Sequence, residues 1–133
     1  MRRRILYARM VFLLYIAAVL YLCFGKFSDL SSVPRSLFGI ESDKLVHFLM
    51  FLPFPILFYM ALGLRTAKPW HSILLALGIL CLGTMIAAGT EYVQGLIPYR
   101  ASDPADLTAD FLALCISSVI ILLIDLNKTK RYA

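Results

Sequence analysis

Ionisable side chains are concentrated in one stretch of the chain that lies between two long apolar runs. Residues 91–110 hold four of the eight acidic residues, together with a glutamine and an arginine. A carboxyl group at or inside the edge of a hydrocarbon layer is costly, so such groups usually mark a site. The chemistry open to these residues is proton transfer, cation binding and recognition of phosphate. The side chains are Glu91, Gln94, Arg100, Asp103, Asp106 and Asp110.

A second polar set lies at the start of an earlier apolar run. It consists of Asp43, Lys44 and His47. Residues three or four positions apart share one face of a helix, so Asp43 and His47 lie one turn apart on the same face. The glutamate–glutamine pair and the three aspartates of the first stretch have the same spacing. We therefore predict that three helices each present a polar face at one membrane depth and together line a polar pocket.

The composition indicates the kind of protein that must position these residues. The chain has 133 residues, of which 61% are hydrophobic, and its mean hydropathy is +0.83. Soluble domains are nearer 45–50% apolar, so the composition indicates one integral membrane domain, residues 1–133. The three cysteines lie in apolar runs, which favours small apolar fillers over a disulfide framework or a zinc site.

Four apolar stretches are long enough to cross about 30 Å of hydrocarbon as helices. The first follows an arginine-rich start, but no small-residue cleavage site follows it, so we predict a retained helix and not a signal peptide. The second contains Pro53 and Pro55, which should bend its axis. The predicted spans are about 5–25, 44–64, 73–95 and 104–126.

The distribution of basic residues predicts the orientation of these spans. The N-terminus, the 65–72 loop and the C-terminus hold nine of the 13 Lys and Arg residues. Positive charge is enriched on the cytoplasmic side, so both termini should be cytoplasmic and both longer loops outside. Among the acids only Asp125 then lies inside. The predicted fold is an all-α polytopic membrane protein with four transmembrane helices, and the excess positive charge requires no nucleic acid partner.

Several of the polar residues also have a purely structural interpretation. Asp103, followed by proline, is typical of a helix N-cap, and Asp106 would suit the positive end of the same helix. Lys44 is an ordinary charge for the end of a span. Glu91 and Asp110 are harder to explain in this way, because each lies about a turn or more inside an apolar run.

Three short motifs follow one another along the chain. They are Asp-Lys-x-x-His-Phe at 43–48, Glu-x-x-Gln at 91–94 and Arg-x-x-Asp-x-x-Asp-x-x-x-Asp at 100–110. In this order they resemble the VanZ-like membrane protein family, over about residues 41–120. The resemblance implies a multi-pass protein of the bacterial cytoplasmic (inner) membrane that acts on lipid or lipid-linked substrates of the cell envelope. The family's namesake is associated with low-level resistance to the glycopeptide antibiotic teicoplanin.

The leading hypothesis is a membrane enzyme that hydrolyses or transfers a lipid or polyprenyl-linked phosphate head group at the outer leaflet. Burial would shift the pKa of a general base, cationic side chains would bind phosphate, and carboxylates could hold Mg²⁺. The predicted catalytic residues are His47, Glu91, Asp106 and Asp110; the predicted substrate-binding residues are Asp43, Lys44, Gln94 and Arg100; the predicted metal ligands are Asp103, Asp106 and Asp110.

Three alternatives remain open at this stage. The same pocket could bind a head group, a glycopeptide or a partner protein without turnover. It could belong to a small transporter in which Glu91 relays protons, although transporter sites usually lie near the membrane midplane. Finally, the polar groups could only cap helices and pair with one another in a structural membrane protein.

Overall fold

The computed structural model describes residues 2–25, 36–37, 39–64, 66, 68–99 and 102–132. Most of these residues are helical, as the apolar composition predicts for a chain whose backbone must be hydrogen-bonded without water. Two strands of two residues form a small antiparallel ladder just before the second helix. The elements are α1 (Arg2–Phe24), β1 (Ser36–Leu37), β2 (Ile40–Glu41), α2 (Ser42–Phe51), α3 (Phe54–Leu62), α4 (Pro69–Gly95) and α5 (Pro104–Tyr132).

Four helical segments are long and apolar enough to cross a membrane, which confirms the predicted all-α, four-span fold. Large apolar side chains are exposed on the outer surface of each of them, as a lipid-facing surface requires. The third span starts at Pro69, earlier than the predicted 73, because proline is well suited to the first helical position. The candidate spans are Arg2–Phe24, Ser42–Leu62, Pro69–Gly95 and Pro104–Thr129.

The second span is broken at Pro53, where α2 ends and α3 begins. Hydroxyl groups of two other helices bond to carbonyl groups at this break. The Tyr15 hydroxyl donates to the Met50 carbonyl at 2.6 Å, and the Ser117 hydroxyl donates to the Leu52 carbonyl. Such bonds satisfy backbone groups that a proline break leaves without helical partners. The break is therefore tied to both α1 and α5.

Small residues let α4 and α5 approach closely in the middle of the bundle. Ala87, Ala113 and Ser117 are fully buried. A Cβ atom on Gly83 would lie 2.7 Å from the Leu114 side chain, which is closer than real Cβ contacts. This close packing fixes the relative positions of the two helices that carry four of the eight acidic residues.

The two ends of the bundle are identified by bonds between its helices. At one end, the Gln94 amide on α4 donates to the Cys23 carbonyl on α1 at 3.0 Å. At the other end, the Arg9 side chain on α1 donates to the Ala61 carbonyl on α3 at 3.1 Å. We call the end with the Gln94–Cys23 bond the His47 end and the end with the Arg9–Ala61 bond the Asp125 end, after one buried residue at each. The membrane side that each end faces is predicted from the basic loops alone.

Candidate functional site

The centre of the site is a buried histidine–aspartate pair that joins α2 to α5. Nδ1 of His47 lies 3.2 Å and 3.3 Å from the two carboxylate oxygens of Asp110. Asp110 is 0% exposed and His47 is 5% exposed. An ionised Asp110 can only accept, which assigns the ring proton to Nδ1 and leaves the lone pair on Nε2.

Asp106 lies one helical turn before Asp110 and faces the second nitrogen of the same ring. The distance from His47 Nε2 to Asp106 Oδ2 is 3.9 Å, and Asp106 is 3% exposed. Its other oxygen, Oδ1, is buried and has no hydrogen-bond partner among the described residues. The site contains a group that could hold a metal ion. It consists of one ligand atom each from Asp43, His47 and Asp106, and the three atoms lie within 4.8 Å of one another.

Glu91 brings α4 into the site and holds the start of α5. Its Oε1 atom accepts a hydrogen bond of 2.6 Å from the Asp103 backbone N–H. Its Oε2 atom is buried and lacks a hydrogen-bond partner in the part of the chain that the structure describes. One oxygen of Glu91 therefore holds the start of α5, and the other is a hydrogen-bond acceptor with no partner among the described residues.

The rim of the site is formed by Asp103 and Lys44. Asp103 caps α5 as predicted, because its Oδ1 accepts a hydrogen bond of 2.9 Å from the Ala105 N–H. Lys44 lies 3.4 Å from the other oxygen of Asp103 and also pairs with Glu41. The Ala105 N–H, followed by the Lys44 ammonium, holds the pKa of the Asp103 carboxyl below its usual range.

The remaining predicted site residues have different positions. Gln94 uses its amide to bind α1 at the Cys23 carbonyl. Arg100 lies outside the described residues. Of the predicted metal ligands, Asp106 belongs to the three-residue group, whereas Asp103 caps a helix and Asp110 binds His47.

The described part of the site carries an excess of carboxyl groups. Lys44 is the only described cation of fixed charge at this end. Two buried carboxylate oxygens lack partners among the described residues, so the site has acceptors left for an incoming donor or cation. The carboxyl groups belong to Asp43, Glu91, Asp103, Asp106 and Asp110.

Sequence reasoning missed a second buried cluster, at the Asp125 end. The Tyr59 hydroxyl donates to Asp125 Oδ1 at 2.6 Å, and the Thr66 hydroxyl donates to Oδ2. Thr129 and Ser72 lie 3.0 Å and 2.9 Å from the Thr66 hydroxyl. The available signal was an acid inside an apolar run with a threonine one turn later. The donors to Asp125, however, come from α3 and from the loop before α4.

The four spans and the buried polar site define the class: a multi-pass α-helical membrane protein with a candidate site at one end of its bundle. The VanZ/LLP1 family model matches residues 12–125, and the chain belongs to this family. The match begins within α1, so it also covers most of the first span. No curated protein and no solved structure matches the chain.

Proposed function

We propose that the protein acts on a lipid or lipid-linked phosphate head group at the outer leaflet of the bacterial cytoplasmic membrane. One observation carries this proposal: a histidine and three acids from three helices are buried at the same end of the bundle. These residues are His47, Glu91, Asp106 and Asp110. Buried ionisable groups in a membrane domain are functional by default, and a site at the ends of the spans lies at the depth of lipid head groups.

His47 is the proposed general base. Asp110 fixes its tautomer and orientation, as the aspartate of a catalytic triad does for its histidine. Nε2 then accepts a proton from an attacking water or alcohol, whose oxygen forms a bond to the head-group phosphorus. The bond from phosphorus to the leaving oxygen breaks, and the proton passes from Nε2 to that oxygen. Water as the nucleophile gives hydrolysis, and an alcohol gives transfer.

Other residues would serve substrate binding. The Lys44 ammonium lies at the rim, where it can meet a phosphate that approaches from the membrane surface. Arg100 would add a bidentate contact to phosphate. The free oxygen of Glu91 is available to a hydroxyl group of the substrate or to the attacking water.

The test uses purified protein in lipid nanodiscs with labelled phospholipids and labelled polyprenyl phosphates. We expect conversion of one lipid class, and a loss of about 100-fold in the Glu91→Gln variant, because the buried carboxylate that would accept a hydrogen bond from the attacking water is replaced by a neutral amide. Glu41→Gln, which alters an exposed carboxylate at the rim, is the matched control. The proposal fails if no lipid is converted and if cells carrying Glu91→Gln keep the same envelope lipids.

A non-catalytic role is the second candidate, since Glu91 and Gln94 both use part of their bonding capacity to hold neighbouring elements. A protein that only binds a head group or a partner should keep its function in Glu91→Gln and lose it in Arg100→Ala. If the protein converts or captures a lipid-linked head group, we propose that the altered handling of that head group changes teicoplanin susceptibility. Growth of the two variants in the presence of teicoplanin measures this effect.

A further inference from the structure

We propose that His47 Nε2 and one carboxylate oxygen each from Asp43 and Asp106 bind a divalent cation of the Zn²⁺ or Mn²⁺ type. One ligand atom from each of the three residues lies within 4.8 Å of the other two, and Nε2 of His47 lies 3.9 Å from Asp106 Oδ2. Two ligand atoms that each lie about 2.2 Å from one ion are at most about 4.4 Å apart, so a small rotation of the side chains completes the group.

The bonding of His47 supports this assignment. Its Nδ1 atom donates to Asp110, which is fully buried, and its Nε2 atom faces Asp106. Histidines that bind metals almost always use their other ring nitrogen to donate to a carboxylate or carbonyl, which fixes the tautomer and orients the ring. Asp110 is therefore a positioning residue for the metal-binding nitrogen.

The unpartnered carboxylate oxygens are a second, independent observation. Asp106 Oδ1 is buried without a hydrogen-bond partner among the described residues, and so is Oε2 of Glu91. A buried acceptor that makes no bond is destabilising. A cation at Asp106 would satisfy the first oxygen directly, and a water molecule bound to that cation could donate to Glu91.

The ligand types select the kind of cation. Mg²⁺ and Ca²⁺ prefer shells made of oxygen alone, whereas an imidazole nitrogen suits Zn²⁺ and related metals, and carboxylates suit Mn²⁺. A site with one nitrogen and two carboxylates thus favours Zn²⁺ or Mn²⁺ over the Mg²⁺ suggested by aspartates alone. Asp103 is left out of the site because its carboxylate caps α5 and pairs with Lys44.

A bound cation would also change which ligands the site accepts. The described carboxyl groups outnumber the described fixed cations, so an anionic phosphate alone would be repelled. A divalent cation between Asp106 and the phosphate reverses that interaction. When the cation is bound, Nε2 of His47 is a ligand and no longer a base, so the free oxygen of Glu91 accepts the proton in its place. This role of Glu91 and the contact with phosphate rest on the proposed function, whereas binding of the cation does not.

The test measures metal binding without lipid. Chelator-stripped protein is equilibrated separately with Zn²⁺ and with Mn²⁺, and the bound metal is measured by mass spectrometry after gel filtration. We expect one ion per chain for at least one metal, with binding about 100-fold weaker in Asp106→Asn. Asp103→Asn is the matched control. It also removes one negative charge, but at the rim of the site, so the variant should still bind the ion. Equal binding by Asp106→Asn and the parent protein would overturn the proposal.

X-ray absorption by the metal bound to the unaltered protein keeps the proposal testable even if a variant folds poorly. The expected spectrum shows one imidazole nitrogen among oxygen ligands. A shell with sulfur ligands, or without imidazole, would overturn the assignment. Bound metal without any lipid conversion would contradict only the proposed function. Lipid conversion by a protein that binds neither metal would contradict only the cation site.

Discussion

The two ends of the bundle each bury polar side chains, but they differ in how completely those side chains are paired. At the Asp125 end, both carboxylate oxygens of Asp125 accept hydrogen bonds from hydroxyl groups. At the His47 end, Asp106 and Glu91 each have one buried oxygen without a partner among the described residues. Both clusters lie between the second, third and fourth spans, but His47 lies on α2, whereas the donors to Asp125 come from α3 and from the loop that carries Thr66.

This difference predicts that the Asp125 end contributes mainly to stability and the His47 end mainly to function. A polar cluster that satisfies its own bonds stabilises the helix contacts around it, while a cluster with acceptors left over has capacity for a ligand. We therefore expect substitutions at the Asp125 end to lower the stability of the fold. Substitutions at the His47 end should mainly affect ligand binding and catalysis.

The largest expected effect compares the two histidines. His47→Ala should lower lipid conversion in nanodiscs by about 100-fold or more, because it removes the proposed base. His71→Ala, near the Asp125 end, should leave conversion unchanged, since that ring packs at a tilt against Trp70, away from the site. Equal losses in the two variants would break the distinction between the two ends.

The second largest expected effect is on stability and comes from the close packing of α4 and α5 in the middle of the bundle. Gly83→Ala should lower the free energy of unfolding by about 1–3 kcal/mol, because the added methyl group overlaps the Leu114 and Phe54 side chains. Gly78→Ala is the matched control on the same helix, where a Cβ atom meets open space. Gly78→Ala should leave the free energy of unfolding unchanged when both variants are measured by denaturant unfolding in detergent. A neutral Gly83→Ala would show that this packing is loose.

A smaller effect is expected from one hydroxyl group at the Asp125 end. Tyr59→Phe removes the donor to Asp125 and the acceptor of the Lys128 bond, and should lower the free energy of unfolding by about 1 kcal/mol. Lipid conversion per folded molecule should stay at the parent level. Tyr7→Phe, on an exposed ring, is the control for the loss of a hydroxyl group. A drop in conversion without a drop in stability would assign a function to this end.

The smallest expected effect concerns pH at the rim of the site. Because the folded protein lowers the pKa of Asp103, this residue contributes stability above its ordinary pKa, and the contribution is lost as the pH falls through the folded value. Asp103→Asn keeps a side chain that can cap α5 but removes the charge paired with Lys44. The melting temperature of the variant should fall less steeply on acidification than that of the parent. Parallel profiles would contradict the pairing.

The sequence predicted the four-span all-α fold because long apolar runs leave few alternatives in a membrane. It also predicted that Asp103 caps α5, which is a local signal. Spacing placed His47 and Asp110 on polar faces, but not in contact, because the rotation of one helix against another depends on packing. The Asp125 cluster escaped detection for the same reason, since Tyr59 and Thr66 reach it from other segments.

The most direct test measures conversion of labelled lipid and the free energy of unfolding on the same preparations of Asp106→Asn and Asp125→Asn. The substitution and the helix are the same, and both parent residues are buried. Asp106 faces Nε2 of His47, where its negative charge stabilises the protonated ring, so the account predicts that Asp106→Asn loses conversion and keeps its stability. It also predicts that Asp125→Asn keeps conversion per folded molecule and loses stability. The reverse pattern, or the same pattern in both variants, would contradict it.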